Sequence, residues 1–421
     1  MTGSAKSSRA SPIRAPAERP VGARPLAGWC RRHLVVPALL CVLALSGCGG
    51  GGGGSIDAPA AVIPPAAGNS VPMTVDRGAD GTAFNLPFVS VTVCVPGTAT
   101  CRTIDHVLVD TGSYGLRIAA SALGAGVQLP AVTTAAGAPV GECAQFARGV
   151  TWGAVRRADV KLGGEVAANL PIQVVADTGA AYATAPSGCS TAGGNVGVDG
   201  SSNGILGVGL FVQDCPGCVA STAPGVYFAC PAGGCTATRL ELASQVSNPV
   251  AAFSRNNNGV LLTLPEVPQG GAATVSGSLI FGIGTQPNNQ LGAATVYATD
   301  GQGNFRTTYR GVTTPAFLDS GSNALFFADA SLPVCSGFYC PGAPLTLSAV
   351  NTSATGVSGT VSFRIESLQS IGGGVAAAHV GANIGLGRVF DWGLPFFFGR
   401  SVFVAVAGAP TPRGPGPYWA Y

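Results

Sequence analysis

The stretch VLVDTGS, residues 107–113, returns as AFLDSGS at residues 316–322. In both, an apolar run typical of a buried strand ends at an aspartate, Asp110 or Asp319. A small hydroxyl residue, a glycine and a serine follow each aspartate. Two such copies, far apart in the chain, predict a duplicated β unit that brings two carboxylates together. Paired carboxylates can share one proton and activate a water molecule.

The rest of the chain favours an all-β fold. Short apolar runs alternate with glycine, proline and asparagine turns, as in FVSVTV at residues 88–93 and SLIFG at residues 278–282. Helical periodicity is scarce, and only residues 238–247 favour a short helix. The chain after residue 48 is long enough for two lobes, which we place at residues 73–284 and 285–421.

The repeated motif resembles the active-site loops of the pepsin-like aspartic peptidases. In that family each lobe places an apolar-apolar-glycine strand beside its aspartate loop, and this chain has two similar stretches in the same order. They contain Ile205, Leu206 and Gly207, and, less closely, Trp392 and Gly393. The resemblance spans about residue 80 to residue 406. It implies a bilobal fold with a central cleft and a monomeric endopeptidase that acts on polypeptides through Asp110 and Asp319, with no metal or cofactor.

The flanking residues have separable physical roles in such a site. The glycines allow tight turns beside the acids. The residues after the aspartates bring hydroxyls that can bond across the lobe interface, and the two serines can each hold their own aspartate. In chain order these supporting residues are Thr111, Gly112, Ser113, Ser320, Gly321 and Ser322.

The chain departs from the family at the flap, the hairpin that covers the cleft. The family's flap tyrosine corresponds to Phe146, and its supporting tryptophan corresponds to Arg117. These changes leave open a second hypothesis, a catalytically inactive pepsin-fold lipoprotein that acts as a binding module. A third is a structural β-rich lipoprotein in which both motifs arose by chance. Retention of both aspartates favours the peptidase.

The N-terminal segment predicts export. A basic lead-in and a short apolar run at residues 34–45 end in LSGC, which resembles a bacterial lipobox. This resemblance implies cleavage before Cys48, lipid attachment to its thiol, and a bacterial lipoprotein branch of the family. The alternative is an ordinary signal peptide with an incidental cysteine. Residues 49–72 are rich in glycine, proline and alanine and predict a tether. We expect the body to lie in the cell envelope, with the outer membrane favoured.

Charge does not favour nucleic acid as a partner. The chain has 22 basic and 19 acidic side chains, but residues 1–48 hold 7 of the basic ones and 1 of the acidic ones. The remaining 15 basic and 18 acidic groups give a net charge of −3. The apparent basicity therefore belongs to the export signal.

Cysteine usage agrees with an oxidising compartment. Of the 13 cysteines, 10 follow residue 48, and most are close neighbours in sequence. The predicted pairs are Cys94–Cys101, Cys143–Cys189, Cys215–Cys218, Cys230–Cys235 and Cys335–Cys340. The alternative is a zinc site built from the four cysteines between residues 215 and 235.

Two further motifs have simpler explanations. A third Asp-Thr-Gly begins at Asp177, but it lies too close to Ile205 to leave room for a flap and lacks the following serine. We interpret it as a loop. Residues 200–204, GSSNG, match the Gly-x-Ser-x-Gly pattern of serine hydrolases, but a strand is expected after them instead of a helix. After residue 48, only His106 and His379 could act as a base for such a site.

Overall fold

The structure, a computed structural model, describes residues 68–421 except 190–194, 199, 384 and 386–387. The described residues are mostly β-strand, with one four-residue α-helix, α1 (Ala120–Leu123). The predicted all-β fold is therefore confirmed. The helix expected over residues 238–247 is wrong, because that stretch contains only a 3-10 turn, Leu242–Ser244. In the described part of the chain, no helix has the length and apolar character needed to cross a membrane.

The first thirteen strands run from the start of the described body to residue 298. They are β1 (Ser70–Val75), β2 (Pro87–Cys94), β3 (Cys101–Asp110), β4 (Tyr114–Ala119), β5 (Val140–Phe146), β6 (Gly149–Leu162), β7 (Glu165–Val175), β8 (Gly204–Val208), β9 (Tyr227–Ala229), β10 (Thr236–Ala237), β11 (Gly259–Leu264), β12 (Val275–Phe281) and β13 (Val296–Ala298).

Eleven strands follow. They are β14 (Phe305–Tyr309), β15 (Val312–Asp319), β16 (Leu325–Phe326), β17 (Val334–Cys335), β18 (Phe338–Tyr339), β19 (Leu345–Thr352), β20 (Ser358–Ile365), β21 (Gly381–Ala382), β22 (Phe390–Gly393), β23 (Arg400–Ala405) and β24 (Tyr418–Ala420). The other 3-10 turns are Ser187–Cys189, Pro216–Val219, Pro249–Ala252, Pro287–Asn289, Leu368–Ser370 and Leu394–Phe396.

The strands form two sheets. One has 15 strands and contains β1 to β13 together with β23 and β24, and the other has nine, β14 to β22. In β2 the valines at 89, 91 and 93 are buried while Ser90 is exposed, which is the period-two pattern read from the sequence. The large sheet takes β13, β23 and β24 from beyond residue 285, so the division between the sheets differs from the lobe boundary placed there.

One three-strand arrangement occurs in both sheets. In the large sheet β8 lies between β3, its parallel neighbour, and β4, its antiparallel neighbour. In the small sheet β22 lies in the same way between β15 and β16. Asp110 is opposite Gly207 and Asp319 is opposite Gly393. The repeated motif is therefore a repeated topology, with each aspartate at the end of a strand beside its predicted partner.

The glycines of the partner strands permit this close packing. A Cβ at Gly207 would lie 2.6 Å from the backbone nitrogen of Tyr114, and one at Gly393 would lie 2.1 Å from the carbonyl oxygen of Ala324. Both distances are too short for any side chain. Glycine at the two positions lets the chain turn back against its partner strand immediately after the aspartate.

All five predicted cysteine pairs are present as disulfides. The bonds Cys215–Cys218 and Cys230–Cys235 use the four sulfurs of the alternative zinc site. That ligand set is therefore not available to a metal. Cys143–Cys189 joins β5 to the 3-10 turn after β7, and the other four close short loops.

Candidate active site

The two aspartate loops are joined by a reciprocal set of hydrogen bonds. Thr111 donates from Oγ1 to the carbonyl of Leu318 at 2.8 Å and accepts from the backbone N–H of Ser320 at 2.9 Å. Ser320 donates from Oγ to the carbonyl of Val109 at 2.6 Å and accepts from the N–H of Thr111 at 3.2 Å. Both hydroxyls are buried. The ends of β3 and β15 are therefore held side by side.

Each carboxylate is oriented by its own loop. The N–H of Gly112 donates to Oδ1 of Asp110, and the N–H of Gly321 donates to Oδ1 of Asp319, both at 2.8 Å. On the other oxygen, Ser113 donates to Oδ2 of Asp110 at 2.5 Å, and Ser322 donates to Oδ2 of Asp319 at 2.8 Å. These contacts fix the planes of both carboxyl groups.

The two carboxyl groups lie close together. A Cβ at Gly112 would lie 2.8 Å from Cγ of Asp319, and a Cβ at Gly321 would lie 2.9 Å from Cγ of Asp110. Each acid thus sits against the glycine of the opposite loop. Burial, the negative charges of Asp110 and Asp391, and a hydrogen bond with Asp110 raise the pKa of Asp319 well above its ordinary value. Two carboxyl groups this close do not both ionise easily, so the pair keeps one proton between them.

A third carboxyl group, Asp391 on β22, was not predicted. It is 2% exposed, and its Oδ2 lies 2.7 Å from Oγ of Ser322, the same hydroxyl that contacts Asp319. Its Oδ1 is buried with no hydrogen-bond partner in the described structure. Burial is the main reason that the pKa of Asp391 is raised well above its usual range. The contact with Ser322 lowers the pKa and the negative charge of Asp110 raises it further.

The remaining partner-strand residues support the loops from behind. Ile205 and Leu206 are buried on β8 directly beside β3. Trp392 is fully buried and donates from its indole N–H to Oγ1 of Thr307 at 3.0 Å. These side chains support the strands that carry the aspartates through packing.

The predicted flap residue and its support are in contact. Phe146 ends β5, which turns into β6 as a hairpin, and the guanidinium carbon of Arg117 lies 5.6 Å from the centre of its ring. Arg117 is 2% exposed and pairs with Glu142 at 2.6 Å and with Asp214 at 2.9 Å. A buried ion cluster, formed by Arg117, Glu142 and Asp214, therefore lies beside Phe146.

This cluster contains two acids for one base. Burial raises the pKa of Glu142 well above its ordinary value, and the charge of Asp214 and a hydrogen bond with it add to the rise against the opposing charge of Arg117. Tyr227 donates to Oδ1 of Asp214 at 2.5 Å and accepts from the N–H of Val246 at 2.8 Å.

A cavity of about 200 Å³ opens beside the aspartate loops. Its lining includes Gly112, Tyr114, Leu210, Phe317 and Trp419. Burial and the negative charges of Asp110 and Asp319 raise the pKa of Tyr114 to about 12, so its hydroxyl keeps its proton at neutral pH. Tyr114 directly follows the first motif but was not predicted as a site residue.

The other sequence motifs lie away from this chemistry. Asp177 pairs with Arg156 at 2.8 Å and accepts from the N–H of Gly179, as a loop residue does. The GSSNG stretch leads into strand β8, so the helix required by a serine hydrolase is absent from the described residues after it. His106 contacts Asp105 and Asp76, and His379 contacts Glu366. The predicted lipid site, Cys48, lies outside the described residues.

Comparison with known proteins gives the chain a family and a distant structural likeness. The structure is similar to that of the aspartic proteinase from Irpex lacteus, with 15% sequence identity and a TM-score of 0.47 over 83% of this chain and 96% of that one. No curated protein matches the sequence. The model of the family described as a protein of unknown function, DUF3443, matches residues 65–421, and the chain therefore belongs to that family.

Proposed function

We propose that this protein is an aspartic-type endopeptidase that hydrolyses peptide bonds with a water molecule activated by Asp110 and Asp319. One observation carries the proposal: each carboxyl group packs against the glycine of the opposite loop. Thr111 and Ser320 join the two loops by reciprocal hydrogen bonds. A pair held this way can take a proton and give a proton within one reaction.

We place the shared proton on Asp319, because burial and the neighbouring acids Asp110 and Asp391 raise its pKa. Asp110 is then the base that takes a proton from water as the water oxygen attacks the peptide carbonyl. The proton on Asp319 hydrogen-bonds the carbonyl oxygen and stabilises the negative charge that develops there. Collapse of the tetrahedral intermediate breaks the C–N bond, and the proton on Asp110 passes to the leaving amine.

We also propose that the body is held at the cell envelope by a lipid on Cys48, with residues 49–72 as a tether. The lipobox-like LSGC sequence and the glycine run at residues 49–54 support this. The five disulfides agree with an exported protein.

Peptide cleavage by the purified full-length protein tests the activity. The protein in detergent would be incubated with a peptide library between acid and neutral pH. We expect Asp110→Asn and Asp319→Asn each to lower cleavage by at least about 100-fold, because each removes a proton-transfer group. Asp177→Asn is the matched control, since it changes the third Asp-Thr-Gly motif, and it should retain activity. Cleavage that survives Asp110→Asn would disprove the assignment.

A binding module is the alternative function, favoured by the flap, where Phe146 has no hydroxyl and contacts Arg117. A peptidomimetic inhibitor with a central hydroxyl separates the two functions. Binding to the wild-type protein but not to Asp319→Asn supports the peptidase. A folded protein that neither cleaves the library nor binds this inhibitor supports the module.

A further inference from the structure

The hydroxyl of Ser322 lies between two carboxyl groups. Its Oγ is 2.8 Å from Oδ2 of Asp319 and 2.7 Å from Oδ2 of Asp391, so the two carboxyl oxygens are at most about 5.5 Å apart, the sum of these distances. A serine hydroxyl has one proton and can donate to only one acceptor. The second contact is a hydrogen bond only if that carboxyl group is protonated and donates to Ser322.

Asp391 is the group that fits the donor role. It is 2% exposed, and its Oδ1 has no partner in the described structure, whereas Oδ1 of Asp319 accepts from the N–H of Gly321 and its Oδ2 contacts Ser322. A buried carboxylate with one oxygen unpaired is costly, but a carboxylic acid there is tolerated. Ser322 can then give its proton to Asp319.

Among the described residues, the charged group that acts on Asp391 most strongly is another acid, Asp110. The ionisable groups that act on it across the packed strands are Asp110 from β3 and Asp319 from β15. Its cross-strand neighbours are Phe317 on β15 and Phe326 on β16, and the 3-10 turn after it is Leu394–Phe396. Three carboxyl groups thus lie close together, and the hydrogen bonds that they accept in the described part of the chain come from serine hydroxyls and backbone N–H groups.

We propose that Asp391 is a positioning residue coupled to the pair through Ser322, so that the active site holds two protons among three carboxyl groups. This rests on the proposed function. When Asp391 loses its proton, Ser322 turns toward it and a negative charge appears beside Asp319, which then holds its own proton more tightly. The alkaline limit of activity is therefore set by Asp319 and Asp391 together.

The dependence of kcat/KM on pH tests the coupling. In Asp391→Asn no charge can form, and the amide can still donate to Ser322. We expect the alkaline limb of the pH profile, where kcat/KM falls as pH rises, to move to lower pH by roughly one to two units. This is the size of shift expected for unit charges this close. At acid pH kcat/KM should stay within about threefold of wild type, because the amide resembles the protonated acid. Asp177→Asn, which removes a carboxyl group that pairs with Arg156 away from the site, is the control and should keep the wild-type limb. An unmoved limb in Asp391→Asn would overturn the proposal.

A measurement without catalysis separates this proposal from the proposed function. Protonated carboxyl groups give an infrared carbonyl band at neutral pH, and Asp391→Asn should lose part of it. Asp329→Asn is the control, since Asp329 is also buried but Tyr309 and Ser331 donate to it and its pKa is lowered despite burial. An intact band in Asp391→Asn would refute a protonated Asp391. If Asp391→Asn reduces the band but the wild-type protein cleaves no peptide, the protonated Asp391 is supported and the peptidase function is rejected.

Discussion

At the scale of single residues, the site depends on hydroxyl groups that carry one proton each. Thr111 and Ser320 each have a single acceptor for that proton and accept one backbone N–H, so the direction of their hydrogen bonds is fixed. Ser322 lies between two carboxyl groups instead. The fixed hydrogen bonds hold the two loops together, whereas the direction of the Ser322 hydrogen bonds depends on which carboxyl group is protonated.

Thr111→Val should destabilise the protein without changing its shape. Valine keeps the volume but leaves the carbonyl of Leu318 and the N–H of Ser320 unpaired in a buried place, and we expect the free energy of unfolding to fall by about 1–3 kcal/mol. Urea unfolding measures this loss. Thr103→Val is the control, because it removes an exposed cross-strand bond to Thr92. A loss for Thr111→Val no larger than that of the control would mean that the bonds between the loops contribute little.

The sequence predicts the residues of the repeated motif well and the third acid not at all. Ser113 and Ser322 follow the aspartates at fixed spacing, so local pattern was enough to place them against their own carboxyl groups. Asp391 lies in FDWG, a stretch that was matched to the family only by its apolar residues and glycine. Its position beside Asp319 comes from the pairing of β22 with β15, residues far apart in the chain.

At the scale of elements, the buried cluster joins β4 to the flap strand β5. Burial would lower the pKa of Arg117, but its electrostatic interactions with Glu142 and Asp214 outweigh this effect and raise the pKa. The sequence indicated that Arg117 and Phe146 replace a supporting pair, and they are in contact. It could not indicate Glu142 and Asp214, because their meeting with Arg117 depends on packing between distant segments.

Glu142→Gln should make stability less dependent on pH. The folded state raises the pKa of Glu142 well above its value in the unfolded chain, so the folded protein binds this proton more tightly. The stabilisation is present below about pH 4, the unfolded pKa, and is lost as pH rises toward the folded one, by about 1.4 kcal/mol per pH unit. Glutamine cannot titrate, so the slope of the variant should be smaller by that amount.

Urea unfolding at a series of pH values above 4 gives both slopes for this comparison. Glu241→Gln, at an exposed position, is the matched control and should keep the wild-type slope. If the free energy of unfolding changes with pH at the same slope in wild type and in Glu142→Gln, then Glu142 is already ionised in the folded protein.

At the scale of the whole molecule, the body is assembled by long-range strand pairing. The sequence predicted short strands such as residues 88–93 because alternation is local. It could not predict that β23 pairs with β11 and that β24 joins β13, since these partners are far apart in the chain. The family model starts at residue 65, close to the end of the proposed tether. The N-terminal segment therefore calls for a test separate from the body.

Cys48→Ala should release the protein from the membrane. If Cys48 carries lipid, its acyl chains supply the membrane affinity, about 0.8 kcal/mol for each buried CH₂ group, and alanine cannot be acylated. We expect wild-type protein made in a bacterial host to enter the detergent phase and to incorporate labelled fatty acid, and Cys48→Ala to do neither. Cys41→Ala, within the same apolar run, should behave as wild type. Because the anchor is distinct from the acids, a soluble Cys48→Ala protein should still cleave peptides, whereas labelled Cys48→Ala would place the lipid elsewhere.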